Sequence, residues 1–389
     1  MMAPLPKGAP VGVYIHIPFC SHICPYCDFN TYKGMEALIP RYAQALQTDI
    51  DRFGNVHGFL PAGTVFFGGG TPSLLPGKDV AAILSRVRAA FQLAADAEIT
   101  LEANPNSVNE RYFSELLRAG VNRLSIGTQT FDRRGLRVLG RQHEAVDTAA
   151  AVEAARRAGF TNISLDLIFG WPGQTLEAWQ RDLEIALDPQ TGPDHLSLYS
   201  LIIEPGTPMA EAVQRGVMTP VDDDAAADLY ELAIDMLASS GWLHYEVANW
   251  AKATGYGSRH NMLYWRNGEY AGFGAGAHLR ISDVRRMNHL LPQAYIGAVE
   301  RGEEPISNTE TITPELSMGE TMMLGLRLLR EGVSGSEFDR RHGVSLEAVF
   351  GTQLADLAEL GLMQWDGTHA LLTRKGLLLA NDVCARFFN

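Results

Sequence analysis

Three of the four cysteines in this 389-residue chain lie close together, in Cys20-Ser-His-Ile-Cys24-Pro-Tyr-Cys27, while Cys384 stands alone near the C-terminus. A disulfide framework spreads its cysteines and needs an oxidising compartment, so the cluster reads as a metal site. Three thiolates suit a cubane iron–sulfur centre whose fourth iron is left to a small molecule. Zinc normally takes four ligands, so a zinc reading needs His16 or His22 as well, and this spacing is unlike the paired Cys-x2-Cys hooks of zinc ribbons. Cys384, beside Val383 and near Phe387, reads as a buried small hydrophobe.

Other polar residues fall just after short apolar runs. Gly68-Gly-Gly-Thr-Pro72 offers backbone N–H and C=O groups to a ligand with no Cβ in the way. Glu102 closes one run, Gln129 follows another, Arg141 lies in Leu-Gly-Arg-Gln-His, and Asp166 lies in Asp-Leu-Ile-Phe-Gly. A carboxylate at a strand end can accept ribose hydroxyls, and arginine can pair with a carboxylate through two bonds. Each of these residues alone is equally a loop cap or a surface ion pair.

The elements that must position these groups alternate short β-branched runs with longer amphipathic stretches. The runs are Val11–Ile17, Thr64–Phe67, Glu98–Leu101, Arg123–Ile126, Asn162–Ile168 and His195–Leu201. Helices are predicted at 39–53, 78–91, 110–118, 146–158, 176–187 and 222–240. Six such units predict an α/β fold, a partial (β/α)6 barrel or open sheet, with its chemistry at the C-terminal edge of the strands. The barrel is assigned to 1–240, a less regular connecting segment to 241–302, and a C-terminal, mostly helical, winged-helix-like domain to 303–389.

Composition narrows the partners. A net charge of −13 repels phosphate backbones, which argues against a nucleic-acid partner. No apolar stretch approaches the ~18 residues of a membrane span, and Met1–Gly8 lacks the apolar core of a signal peptide, so a cytoplasmic protein is expected.

With its spacing and its place after the first strand, the cysteine segment resembles the radical S-adenosylmethionine (SAM) superfamily. The resemblance implies a radical-SAM barrel, a [4Fe-4S] cluster on Cys20, Cys24 and Cys27, and an open iron that binds the amino and carboxylate groups of SAM. From Tyr14 through Asp166 the chain is similar to the coproporphyrinogen-oxidase-like branch. That similarity puts Tyr14, Tyr26, Gly69, Gly70, Thr71, Glu102, Gln129, Arg141 and Asp166 at SAM-contacting positions.

Two classes share this branch: an oxygen-independent coproporphyrinogen III dehydrogenase, which decarboxylates two propionates, and a haem chaperone family. The dehydrogenase motif carries a further cysteine where this chain has Asp28-Phe29, and a long N-terminal extension where this chain has ten residues before its first strand. His260-Asn-Met-Leu-Tyr-Trp265 matches the HNxxYW haem motif of the chaperone family. A neutral imidazole can ligate haem iron, and Tyr264 and Trp265 offer flat apolar surface to a porphyrin. The resemblance therefore implies haem on His260, Tyr264 and Trp265, with Arg259 and Arg266 near its propionates; His278 is read as structural. It further implies delivery to apo-haemoproteins of the respiratory chain, an electron donor for the cluster, and peripheral association with the inner face of the membrane; a homodimer is left open. RNA modification, the third class, usually brings a basic domain or a second cysteine cluster, and neither occurs here.

Overall fold

The structure, a computed structural model, describes residues 10–388. The reading that no signal peptide is present rests on residues outside the described ones. Six parallel strands form the centre: β1 (Val11–Ile17), β2 (Leu60–Gly69), β3 (Phe91–Ala103), β4 (Arg123–Gln129), β5 (Ile163–Phe169) and β6 (His195–Ser200). Between them run the helices Ile39–His57, Gly77–Ala90, Glu110–Ala119, Ala145–Ala158 and Leu176–Leu187. Helix starts follow the capping chemistry of their sequences: Asn109, Thr175 and Asp222 each accept a backbone N–H from the first turn through the side chain.

Side chains alternate across each strand, which divides the sheet into two chemically distinct faces. Val13, Ile15, Val65, Phe67, Leu101, Leu124, Ile126 and Leu165 are fully buried in the hydrophobic core. The opposite face is buried but polar, with Thr64, Glu98, Thr100, Arg123, Ser125, Ser164, His195 and Ser197 on it. Polar side chains on a buried face need partners, and those bonds tie the two ends of this barrel together.

The segment expected to connect two domains instead extends the sheet at both edges. β7 (Leu243–Glu246) and β8 (Asn249–Ala251) add to the β6 edge. β9 (Tyr270–Phe273) lies parallel to β1, and β10 (His278–Ile281), β11 (Val284–Asn288) and β12 (Ile306–Thr311) follow antiparallel. The result is one sheet of twelve strands, open between β12 and β7. β12, placed by sequence in the C-terminal unit, thus pairs with the barrel's own extension.

Beyond it a second core gathers Met322, Leu326, Phe338, Leu354 and Phe387. Gly335–His342 and Leu346–Glu359 form its helices, and Val333–Ser334, Met363–Trp365 and His369–Leu372 form a three-stranded sheet, close to the expected winged arrangement. Two short helices, Arg374–Leu378 and Ala380–Ala385, follow. Cys384 lies in this core, 5% exposed, as the small hydrophobe it was read to be. Among the described residues no helix is long and apolar enough to cross a membrane.

Candidate cofactor site

The C-terminal ends of β1 to β5 surround a cavity of about 460 Å³, and Cys20, Cys24 and Cys27 all line it as free thiols. The loop after β1 is pinned to the loop after β2 by Gly70 N–H to Ile17 O at 2.8 Å and Thr71 N–H to Phe19 O at 2.9 Å. A Cβ on Gly70 would lie 2.8 Å from Phe19 O and 3.0 Å from Cys20 Sγ, so only glycine permits this approach. Thr71 Oγ1 stands 3.4 Å from Cys20 Sγ, and Arg141 Nη1 donates to Cys24 Sγ at 3.6 Å.

The donor set can be tested against the two metals. Burial pushes the thiols of Cys20 and Cys27 up, so a bound cation is needed to hold them as thiolates. Both ring nitrogens of His16 are engaged, by the Tyr14 hydroxyl and by Asn30 O at 3.0 Å each, which removes it as a fourth zinc ligand. Among the described residues no three His, Cys, Asp or Glu side chains are arranged about one ion. A cubane spreads its thiolates over different irons, and three cysteines around one cavity fit that requirement.

Tyr26, Gly69, Gly70, Thr71, Glu102, Gln129, Arg141 and Asp166 line the same cavity. Gly69 N–H donates to Glu102 Oε2 at 3.2 Å, and Asp166 accepts from Ser125 Oγ at 2.9 Å and Ser164 Oγ at 3.3 Å. Arg141 Nη2 is held by Asn104 Oδ1 at 2.6 Å and Gly127 O at 2.9 Å. Tyr14 does not reach this wall. Its hydroxyl is bound to His16, and its ring stacks with Phe66 and His260. Asn104 and Ser125 belong to the wall and escaped the sequence reading, although each could have been found by its place at or near a strand end beside Glu102 and Gln129.

Residues 14–186 match the radical SAM superfamily, and residues 312–379 match the HemN C-terminal domain. The heme chaperone HemW of Bacillus subtilis is 39% identical over 377 residues, which cover 97% of this chain and 98% of that one. The Escherichia coli heme chaperone HemW is 42% identical over 278 residues, 71% of each chain. This chain belongs to the HemW family of radical-SAM proteins. Its fold also matches E. coli coproporphyrinogen III oxidase, HemN, with a TM-score of 0.83 over 98% of this chain and 90% of that chain, at 24% identity.

In this HemW-family chain the HNxxYW segment forms a short helix, Arg259–Trp265, that plugs the barrel at the end opposite the cysteines. The Glu98 carboxylate accepts Arg259 N–H and His260 N–H, both at 3.0 Å. Glu98 and Glu102 share one face of β3, roughly 13 Å apart at ~3.3 Å per residue. His260 is 1% exposed, and Thr64 Oγ1 holds its Nδ1 at 2.8 Å while the Tyr264 hydroxyl holds its Nε2 at 2.9 Å. Burial and the nearby Arg123 guanidinium hold its pKa down to about 3, so it is neutral. In this conformation neither ring nitrogen is free for iron, and His260 could reach haem only by leaving the barrel.

Helical geometry explains the division. His260 and Tyr264 are one turn apart and meet, whereas Trp265, five residues on, points roughly 140° away at ~100° per residue. Trp265 faces the C-terminal unit, with the Arg327 guanidinium 5.2 Å from its ring centre. Arg259 is paired with Asp96 and Arg266 with Glu331, so the two arginines expected near propionates already hold carboxylates.

A chain of buried bonds links the two ends. Ser164 Oγ, which donates to Asp166, also pairs with His195 Nδ1 at 2.8 Å; His195 Nε2 pairs with the Tyr245 hydroxyl at 2.8 Å; and that hydroxyl accepts Ser258 N–H at 2.9 Å. Ser258 is the N-cap of the plug helix. His195 and Tyr245 carry no motif signal, because their role arises only where β6 meets β7 and β8.

The cavity's acids set a pH dependence. Burial, with Asp166 adding to it, pushes Glu102 up to about 8, while Gly69 N–H and Arg123 pull it down. In the unfolded chain a glutamate titrates near ~4.3. Between these values the folded protein binds the extra proton, so this contribution to stability is fully present below ~4 and is lost as pH rises through about 8. Protein freed of metal is therefore expected to melt at falling temperature from pH 5 to 8, and Glu102→Gln to flatten that slope. Melting curves across the range check this; an unchanged slope in the variant refutes it.

Proposed function

We propose that this protein binds haem and passes it to apo-haemoproteins while carrying a SAM-bound [4Fe-4S] cluster. The observation that carries this reading is the HemW relationship along the whole chain, not the barrel alone. On this proposal Cys20, Cys24 and Cys27 ligate three irons, and SAM binds at the fourth. The cluster, when present, supplies one electron for SAM cleavage, chemistry that belongs to the cofactor.

The chain's own residues bind and orient. Gly69, Gly70 and Thr71 present backbone groups beside the cysteines, Glu102 and Asp166 offer carboxylates to the ribose and amino groups, and Arg141 is suited to the SAM carboxylate. Gln129 and Tyr26 close the wall. Respiratory haemoproteins as recipients, an external electron donor, peripheral membrane attachment and a homodimer extend the same proposal.

The deciding experiment reconstitutes the protein anaerobically with iron and sulfide, then supplies haem in one arm and coproporphyrinogen III, SAM and a reductant in the other. A stable haem complex that activates an apo-haemoprotein, without porphyrin conversion, is the expected result. Protoporphyrinogen formation would instead assign the oxidative decarboxylation of the dehydrogenase class.

A further inference from the structure

The interior of the barrel carries one cation that no hydrogen bond accounts for. Arg123, the first residue of β4, is 2% exposed and lies on the polar interior face. Among the described residues its guanidinium makes no hydrogen bond and no ion pair, and its Nε is fully buried. Arginine does not shed its proton inside proteins, so the charge stays, and a buried charge is costly unless something compensates it.

Its neighbours in the same row are incomplete too. Arg123 pairs across to Thr100 on β3, whose hydroxyl is buried without a partner among the described residues. On its other side lies Asn162, just ahead of β5, which accepts Leu124 N–H at 3.1 Å through its backbone while its side-chain Oδ1 is buried and unpartnered. Three adjoining strand positions with unsatisfied polar atoms make a row that ordered water completes, since a buried water bonds to about three such groups.

One row nearer the cofactor cavity stand Glu102, Ser125 and Ser164, in register with one another, and beyond them Asp166. The rows are two residues apart, ~7 Å along the strands. Each interior carboxylate is bonded to neutral donors: Glu98 to two plug-helix amides, Glu102 to Gly69 N–H, and Asp166 to Ser125 and Ser164. Of the groups that act on Glu102, Asp166 on β5 is acidic, Tyr14 on β1 and Tyr199 on β6 are neutral phenols, and among the described residues Arg123 is the one cation. Arg141, on the cavity wall, is instead taken up by Asn104, Gly127 and Cys24. His195, Tyr245 and His260 surround Arg123 from the remaining sides, and burial keeps all three neutral.

We infer that Arg123 is a positioning residue for the cofactor acids, holding Glu102 and Asp166 as the carboxylates that receive the ribose and amino groups of SAM. The inference rests on the SAM-binding reading above and adds a residue that lies outside the cavity wall. An ionised carboxylate accepts hydrogen bonds through both oxygens, whereas a protonated one gives up part of that capacity. Glu102 titrates at about 8 with Arg123 in place. Without that charge its titration moves higher, and the pH at which the SAM site becomes competent moves with it.

The test titrates SAM, from about pH 6 to 10, into full-length protein reconstituted anaerobically with iron and sulfide, and melts metal-free protein over the same range. Arg123→Met is expected to bind SAM about tenfold more weakly near neutral pH, with the rise in affinity moved up by roughly one pH unit. In the metal-free protein, the fall in melting temperature that ends near about 8 in the wild type is expected to continue to higher pH, because the folded state keeps the Glu102 proton longer. Arg123→Lys retains the charge and should follow the wild-type profile in both measurements. Lost packing alone would lower affinity and melting temperature equally at every pH. If both profiles of Arg123→Met coincide with the wild type, or if Arg123→Lys moves them as far, the inference is wrong and the SAM reading stands. Wild-type protein that binds no SAM would instead bring down the SAM reading, while the melting profiles would still decide what Arg123 does to Glu102. Should Arg123→Met not fold, Arg123→Gln, neutral and polar, is read against the same two outcomes.

Discussion

In Cys24→Ala, iron and acid-labile sulfide are expected to fall from roughly four per chain, the content of one cubane, to a small fraction of that, with SAM binding lost as well. The size of the effect follows from the site's economy of ligands. Only three cysteines line the cavity among the described residues, and none has a neighbouring thiol to replace it. Arg141, which donates to Cys24 Sγ, would also lose one of its three acceptors, although Asn104 and Gly127 continue to hold it. Cys384→Ala supplies the control. Its sulfur lies in the separate C-terminal core and should leave iron content unchanged. Metal and sulfide analysis after anaerobic reconstitution decides the matter; iron retained at wild-type level, or zinc in its place, would sink the cluster assignment.

Glu98→Ala is expected to be the most destabilising single change at the far end of the barrel. Glu98 is 6% exposed, and its two oxygens satisfy the first two amides of the plug helix. Truncation leaves the buried His260 N–H without an acceptor, at ~1–3 kcal/mol, and frees the more exposed Arg259 N–H to water, so a loss of about 2 kcal/mol is anticipated. Because the plug also holds His260 against Thr64 and Phe66, its release should disturb aromatic packing in the interior. Glu98→Gln keeps one acceptor and should recover part of the loss. Urea unfolding with near-ultraviolet circular dichroism measures both; an alanine variant as stable as the wild type would show that the plug is not held by this carboxylate.

These two sites lie at opposite mouths of the barrel, and the bonds through Ser164, His195 and Tyr245 run between them. Occupancy at Asp166 and the seating of the plug helix therefore have a physical route of contact.

The six-strand frame and the cysteine loop were legible without coordinates. Val11–Ile17 and Leu176–Leu187 have the bounds read from sequence, because a continuous apolar run buried on both faces and a helix buried along one face both carry a strong signal. The strand-end acids and glycines were legible for the same reason: in β/α units, ligands gather at the C-terminal edge whatever the details of the loops. β7 to β12 were not, since strands of three to six residues with mixed polarity show too little alternation to register.

The opening cysteines come together around one cavity, while the histidine–tryptophan motif is divided between two environments. Sequence places His260 and Trp265 five residues apart and makes them look like one site. Only the tertiary structure decides that the helix is driven into the barrel floor, and helical geometry then sends one residue to the buried polar interior and the other to the C-terminal unit.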